Sequence, residues 1–337
     1  MDRHEKLLCK LKNNSHLKLL IVSPSYQVHN QNLIDSYISS PAMTHLKTSY
    51  FNKEKFTFDT KLITSDDIEE IIKIADNYDC IINLCDGYIN NKNKIPNVDF
   101  IEALEQNGIP YTGTNQNIYK LSKYDLIGKI KSPISVNYHQ LKANNDLVYH
   151  LNFPLFVKPN NLSFSELIDE NSVVWNKEEL MSQLDKVLKV TDDIVIQEYI
   201  DGNEYTAFVL RNKDGKIICL DPLHIKINSS VNYLTNKIKI NEYTKNKDND
   251  TVVYDLNIDD IIKNNIKKIC IDAYEKLNIN SYVRMDLRDE YIIDINPYPE
   301  ILGLNDEINL DTIIINHCYS YDEFLIDILY DATNKKI

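Results

Sequence analysis

The chain has 337 residues, of which 43% are hydrophobic, and its 50 acidic against 37 basic residues give a formal net charge of −13. This balance argues against a broad basic surface for nucleic acid, so we expect an anionic ligand to be met by a few locally placed Lys and Arg side chains. The six cysteines are scattered without a Cys-x-x-Cys pair, which argues against a zinc site and a disulfide framework. The charged N-terminus lacks a signal core and no run reaches the roughly 18 apolar residues of a membrane span, so we expect a cytoplasmic protein that does not enter a membrane.

The N-terminal part of the chain alternates predicted strands with predicted helices. Apolar runs predict strands at residues 17–26 and 80–85, and helical spacing predicts helices at 65–75 and 97–106. Strands that alternate with helices are typical of a parallel sheet covered by helices. We therefore expect an α/β N-terminal domain over residues 1–115.

Two further domains are expected after this one. Residues 116–204 carry patterns for helices at 117–131 and 177–188 and for strands at 155–158 and 194–199. Residues 205–337 carry patterns for strands at 206–210 and 217–221, a long amphipathic helix at 258–277 and a last helix at 321–332.

The strongest signal for a site is a predicted hairpin formed by residues 281–288 and 291–297. Apolar and polar residues alternate on both sides of a tight turn at residues 288–290, which predicts two antiparallel strands. Asp286, Asp294 and Asn296 would then face one another. Oxygen ligands of this kind suit Mg²⁺, which keeps some waters and takes the rest of its shell from phosphates. An ordinary exposed hairpin face is the alternative interpretation.

Three other positions carry candidate chemistry. Lys158 ends an apolar strand, where an ammonium group at a buried edge could reach a phosphate, and Lys123 lies at the start of a helix. Glu204 follows a strand-to-turn segment that begins at Gln197 and that suits the presentation of backbone amides and a carboxylate to a nucleotide. Taken singly, each feature fits a solvated lysine or a plain connector equally well.

The order and spacing of these residues resemble the ATP-grasp superfamily, and most closely the D-alanine–D-alanine ligase group. The resemblance covers residues 79–332 and includes the segment FIEALEQNGIPYTGT at residues 100–114. It implies an ATP-grasp fold preceded by a Rossmann-like, parallel-sheet N-terminal domain. It also implies an ATP-dependent carboxylate–amine ligase that joins amino acids or small peptides through an acyl phosphate.

The resemblance implies a role for each candidate residue. Two lysines would hold the ATP phosphates, three neighbouring residues would meet the adenine, and one glutamate would take the ribose hydroxyls. The hairpin trio would hold Mg²⁺, with Mn²⁺ as an alternative ion. An arginine and a lysine would face the transferring phosphoryl group, while two serines would close a loop over the phosphates. The two phosphate lysines are Lys123 and Lys158, the adenine-binding residues are Gln197, Glu198 and Ile200, and the ribose-binding glutamate is Glu204. The hairpin trio is Asp286, Asp294 and Asn296. The residues that face the phosphoryl group are Arg284 and Lys237, and the loop serines are Ser163 and Ser165.

Departures from the family pattern fall on the loop and on the substrate side. Residues 160–169 contain no glycine, although such loops use backbone conformations with φ > 0 that other residues resist. Ser23-Pro-Ser-Tyr26 stands where the D-alanine ligases hold their first amino acid, and Asp86 replaces a histidine. We therefore expect substrates other than D-alanine.

Two alternatives to the ligase stay open on the sequence alone. One is an ATP-grasp pseudoenzyme that binds a nucleotide or a partner without turnover, which the loop without glycine favours. The other is a phosphotransferase with a hydroxyl acceptor. For the ligase, the expected partners are amino-acid or peptide substrates rather than nucleic acid or a membrane, and a homodimer is one assembly that the resemblance allows.

Overall fold

A computed structural model describes residues 1–24, 51–85, 98–144, 147, 151–160, 162, 165–244, 251–302 and 310–335. Several positions singled out above, among them Ser163 and Asp86, lie outside these ranges. None of the helices within them is long and apolar enough to cross a bilayer.

The N-terminal region contains a parallel sheet, as its alternating pattern predicts. The strands are β1 (Leu17–Pro24), β2 (Phe56–Ile63) and β3 (Cys80–Asn83), and β1 lies between the other two. The α-helices are Arg3–Lys12, Ile68–Ile74 and Val98–Gln106. The helix expected at 65–75 is divided, because Thr64 and Asp67 cap a 3₁₀ turn at Ser65–Asp67 before the α-helix starts.

The parallel sheet is covered on both faces. Leu19 and Ile21 of β1 lie in one hydrophobic cluster with Phe324 of the last helix, whereas Leu20 and Val22 lie in another with residues of the helices that follow β2 and β3. Strand residues alternate between the two faces of a sheet, so one buried strand supplies two cores. The first core joins the two ends of the chain.

The middle region forms an antiparallel sheet of β4 (Ser135–Asn137), β5 (Leu155–Pro159), β6 (Val173–Val174) and β7 (Ile194–Glu198), in the order β4-β7-β5-β6. Its helices are Gln116–Tyr119, Lys123–Leu126, Tyr138–Ala143 and Lys177–Val187. The single helix predicted at 117–131 is wrong. Ser122 forms a capping box with Asp125 and starts a new helix there, and Gly128 takes a φ of +71° after its end.

The C-terminal region is built on a larger antiparallel sheet. Its strands are β8 (Glu204–Arg211), β9 (Ile217–Cys219), β10 (Leu223–Asn228), β11 (Thr251–Asp255), β12 (Val283–Arg288) and β13 (Tyr291–Asn296). The order is β11-β10-β8-β12-β13, and β9 pairs with β8. The helices are Asn236–Thr244, Asp260–Lys276, Leu310–Cys318 and Tyr321–Ala332. The domain borders at 115/116 and 204/205 stay predictions.

Candidate active site

The predicted hairpin is formed by β12 and β13. In its register Arg284 lies opposite Asn296 and Asp286 lies opposite Asp294, with an irregularity after Asp286. Met285 on the intervening position is fully buried in the core. Since successive strand residues point to opposite faces, the core residues hold the polar ones on the other face of the sheet. The structure thus brings the three predicted metal ligands onto one hairpin.

Arg284 is held between two carboxylates. Its Nε and Nη2 donate to Asp286 at 2.9 and 3.1 Å, and its Nη1 lies 3.2 and 3.4 Å from the two oxygens of Asp311. Thr206 on the neighbouring strand β8 donates its hydroxyl to Asp286 Oδ1 at 2.7 Å. Asp311, in the first turn of the helix Leu310–Cys318, was not predicted from the sequence.

The two predicted phosphate lysines reach the same hairpin. Lys158 is buried at the end of β5 and donates from Nζ to the carbonyl of Ile293 at 2.8 Å. Lys123 donates to the carbonyl of Asn160 at 2.9 Å, and its Nζ lies 3.5 Å from Asp294 Oδ1. Burial, and next the nearby charge of Lys123, lowers the pKa of Lys158 to about 8. A poorly solvated ammonium group of this kind gains from an anionic ligand.

A third lysine, Lys239, belongs to this group of charges. Burial, and next the charge of Arg284, lowers the pKa of Lys239, while Asp286, Glu204 and Asp294 oppose that shift. The predicted Lys237 lies on the same helix, Asn236–Thr244, but its side chain is exposed. Two residues apart in a helix are separated by about 200° around the axis, so these lysines leave it on different sides. The sequence could not separate them without this helix, which it did not predict.

Glu204, the predicted ribose ligand, is buried at the start of β8. Its Oε2 lies 3.3 Å from Nη1 of Arg288, and burial raises the pKa of Glu204 to about 7 although Arg288 opposes the shift. Arg288 also donates to the carbonyls of Gly202 at 2.8 Å and Asn232 at 2.9 Å. Arg288 was predicted at the junction of the first hairpin strand, residues 281–288, with the turn, and the structure confirms it as a strand residue. It is the last residue of β12, where Glu204 is its partner in the register.

The predicted adenine-binding segment lies next to a cluster of aromatic rings. Gln197 is buried near the end of β7, Glu198 accepts the N–H of Asn152 at 3.0 Å, and Ile200 lies two residues after the end of the strand. The rings of Phe156, Tyr199 and Tyr233 lie with centroids 5.2 to 6.3 Å apart. The backbone N–H of Glu198 donates to the carbonyl of Ile134 at 2.9 Å, so the sheet already uses that group.

The loop without glycine adopts the backbone conformations that the sequence argued against. Ser165 has a φ of +55° and Leu167 a φ of +61°. Local hydrogen bonds hold these residues: Ile168 N–H donates to the Ser165 carbonyl at 2.9 Å, and Asn236 N–H donates to the Ile168 carbonyl at 3.0 Å. The left-handed conformation costs non-glycine residues about 1–2 kcal/mol each, which these contacts must offset. Ser163 lies outside the described residues.

The donor set suits Mg²⁺ better than a closed metal cage. Within the described ranges, no three His, Cys, Asp or Glu side chains come together as a metal cluster. The hairpin instead offers two carboxylates, Asp286 and Asp294, and the amide of Asn296, whose Oδ1 accepts the N–H of Tyr298 at 2.9 Å. A partial oxygen shell is what Mg²⁺ accepts when phosphates and water complete its coordination.

Comparisons of sequence connect this chain with one group of proteins. The family model described as the D-ala D-ala ligase C-terminus matches residues 131–329. D-alanine–D-alanine ligase A of Bacillus cereus is 28% identical over 209 residues, which cover 58% of this chain and 64% of that protein. A D-alanine–D-alanine ligase of Bacillus anthracis is 27% identical over 212 residues, with the same 58% and 64% coverage. The chain therefore spans less than two thirds of the length of these relatives.

Comparisons of structure reach further along the chain. The crystal structure of a D-alanine–D-alanine ligase from Bacillus anthracis covers 95% of this chain and 99% of its own, with a TM-score of 0.65 at 18% identity. The same ligase complexed with ATP gives 0.63 at 17% identity, with 95% and 98% coverage. VanG D-Ala:D-Ser ligase from Enterococcus faecalis gives 0.67 at 16% identity, with 94% and 100% coverage. These likenesses confirm the ATP-grasp fold expected from the sequence.

Proposed function

Because this chain belongs to the D-alanine–D-alanine ligase C-terminal family, we propose that it is an ATP-dependent carboxylate–amine ligase acting on amino acids or small peptides. The observation that carries the proposal is the convergence of Lys123, Lys158 and Arg284 on the hairpin that carries Asp286 and Asp294. In a chain of net charge −13, this group of cations is the kind of local arrangement that a polyphosphate needs.

The proposed division of labour follows the charges. Lys123 and Lys158 hold the phosphates of ATP, and Lys239 joins them in place of the exposed Lys237. Glu204 takes the ribose hydroxyls, and the adenine lies by the segment from Gln197 to Ile200. Asp286, Asp294 and Asn296 hold Mg²⁺, which neutralises phosphate charge when bound.

The proposed reaction has two steps. In the first, a carboxylate oxygen of one substrate attacks the γ-phosphorus of ATP, the bond to the β-phosphate oxygen breaks, and ADP leaves. In the second, the amine of the other substrate attacks the acyl carbon, the carbon–oxygen bond to phosphate breaks, and the amine loses a proton. The protein contributes position and charge neutralisation, with Arg284 facing the transferring phosphoryl group.

The identity of the two substrates belongs to the proposal as well. The relatives named above are D-alanine–D-alanine ligases, whereas the substrate-side departures in this chain predict other amino acids. Most of those departures, such as Asp86 and Tyr26, lie outside the described residues. D-alanine is therefore tested as one candidate substrate among several amino acids.

A second candidate is a nucleotide-binding module without turnover. Two contacts support it: Arg284 occupies both oxygens of Asp286, and Arg288 pairs with Glu204. Both pairs use groups that the ligase needs for its metal and its nucleotide.

Phosphate release separates these candidates. The protein is incubated with ATP and Mg²⁺ alone, and then with D- and L-amino acids singly, in pairs, and with dipeptides. A ligase releases phosphate only when a suitable pair is present, and mass spectrometry then shows a product that has lost one water relative to the two substrates. Normal ATP binding without stimulated release across the panel refutes the ligase and supports the binding module.

A further inference from the structure

Arg284 has two carboxylate partners with different neighbours. Two of its nitrogens, Nε and Nη2, face the two oxygens of Asp286 at 2.9 and 3.1 Å. The third, Nη1, faces Asp311 at 3.2 and 3.4 Å. The guanidinium is therefore already within reach of a second anion on a different element of the fold.

Asp286 has little capacity left for another ligand. An ionised carboxylate offers about four lone-pair positions. Arg284 uses two of them and Thr206, whose hydroxyl lies 2.7 Å from Oδ1, uses a third. A divalent cation at Asp286 must also approach a guanidinium that is bonded to the same oxygens. Binding of the cation and retention of this bidentate pair thus oppose each other.

Asp311 is held in a fixed position by the backbone. It is 3% exposed, and its Oδ2 accepts the N–H of Glu300 at 2.9 Å. The hydroxyl of Thr206, which donates a hydrogen bond to Asp286, donates none to Asp311. A buried carboxylate with an anchored oxygen and a nearby guanidinium is suited to receive the whole cation, because a buried charge is costly unless it is paired.

We propose that Asp311 is a positioning residue that takes over the guanidinium of Arg284 when a divalent cation binds Asp286. Arg284 is then the resident counter-ion of the metal-free site, and Asp311 determines how readily it yields its place. This inference rests on the proposed function, because it takes Asp286 as a ligand of the nucleotide-bound cation.

The test measures the binding of Mn²⁺, without turnover, in the presence of a non-hydrolysable ATP analogue. Free Mn²⁺ is followed by electron paramagnetic resonance for the wild-type protein, Asp311→Asn, Arg284→Gln and the double variant. We expect Asp311→Asn to raise the half-saturating Mn²⁺ concentration roughly tenfold, because Arg284 then keeps only Asp286 as an ionised partner. Arg284→Gln should lower that concentration, since it removes the competing cation.

The double variant distinguishes the exchange from a simple effect of charge. If Asp311 acts through Arg284, then Asp311→Asn has no effect on Mn²⁺ binding in the Arg284→Gln background. If Asp311 acts only by its own negative charge, the effect persists in that background and the proposal is overturned. Unchanged Mn²⁺ binding in the single Asp311→Asn variant overturns it as well.

A matched variant controls for loss of packing. Asp327 is 5% exposed and also accepts a backbone N–H, that of Lys213 at 2.9 Å, but it lies on the last helix. Asp327→Asn should change thermal stability about as much as Asp311→Asn without changing Mn²⁺ binding, and an equal change in Mn²⁺ binding overturns the exchange. If the wild-type protein binds no nucleotide analogue at all, the proposed function fails first.

Discussion

Replacing Lys158 with Ala removes the most deeply buried of the candidate phosphate cations. Its Nζ is held against the carbonyl of Ile293 at 2.8 Å, so the position of the charge is set before any ligand arrives. A hydrogen bond between charged groups contributes about 1.5–3 kcal/mol, which corresponds to roughly a ten- to hundredfold loss of affinity for ATP. Because Lys158 is almost fully buried, solvent does not screen this contribution as it would at the surface.

The same residue predicts how ATP affinity depends on pH. The pKa of Lys158 is about 8 in the ligand-free protein, so the lysine is charged below that pH and neutral above it. Only the charged form pairs with a phosphate. Between about pH 7 and about pH 9 the charged fraction falls from roughly nine tenths to one tenth, so the dissociation constant of the wild-type protein should rise by up to about tenfold.

Isothermal titration calorimetry of both proteins with ATP and saturating Mg²⁺ tests the two expectations. The ratio of the two dissociation constants cancels proton loss from the nucleotide and from groups that both proteins share. That ratio should be largest near pH 7 and shrink toward pH 9. Equal affinities, or a ratio that stays constant with pH, would refute the assignment of Lys158 to the phosphates.

Three further expectations concern the metal, the loop and a packed glycine. Asp294→Asn should keep the fold, because this side chain is 43% exposed, but should lower turnover by roughly two orders of magnitude at limiting Mg²⁺, as measured by phosphate release. Ser165→Ala should lower kcat more than it raises KM for ATP in steady-state kinetics, if its hydroxyl meets the phosphates on loop closure; equal turnover would remove Ser165 from the site. Gly113→Ala should lower the free energy of unfolding, measured by chemical denaturation, by about 1–3 kcal/mol more than Gly128→Ala does. Both glycines have positive φ, but of the two only Gly113 would bring an added Cβ against a ring, that of Tyr298 at 3.0 Å.

The hairpin could be predicted from sequence because the information is local. Alternation of apolar and polar residues fixes which side chains of β12 and β13 share a face, so Asp286, Asp294 and Asn296 follow from a stretch of adjacent residues. Lys158 is similar, because a short apolar run with a terminal lysine describes its strand. The roles of these residues are still predictions, since only the fold and the family are established.

The site residues that were not predicted from the sequence depend on contacts between distant parts of the chain. Asp311 contacts Arg284 from a helix that begins after the hairpin, and no local sequence pattern indicates this contact. The choice of Lys239 over Lys237 depends on the orientation of a helix that was not predicted. Both residues are lysines, so residue type alone does not separate them. Arg288 was expected at the end of its strand, but its pairing with Glu204 of β8 depends on a residue distant in sequence.

The hydrophobic core that unites the two ends of the chain has a consequence for synthesis on the ribosome. Phe51, close to β2, packs its ring 5.7 Å from that of Tyr321, and the N–H of Asn52 donates to Asp322 at 3.0 Å. The face of the parallel sheet in this core also packs against Leu7 of the first helix, but it stays incompletely covered until the last helix has left the exit tunnel. Contacts so distant in sequence are slow to form, and an apolar face exposed during translation invites aggregation. The newly synthesised chain should therefore depend on chaperones. The middle sheet is different, because its strands and covering helices are close together in sequence and can fold as they emerge.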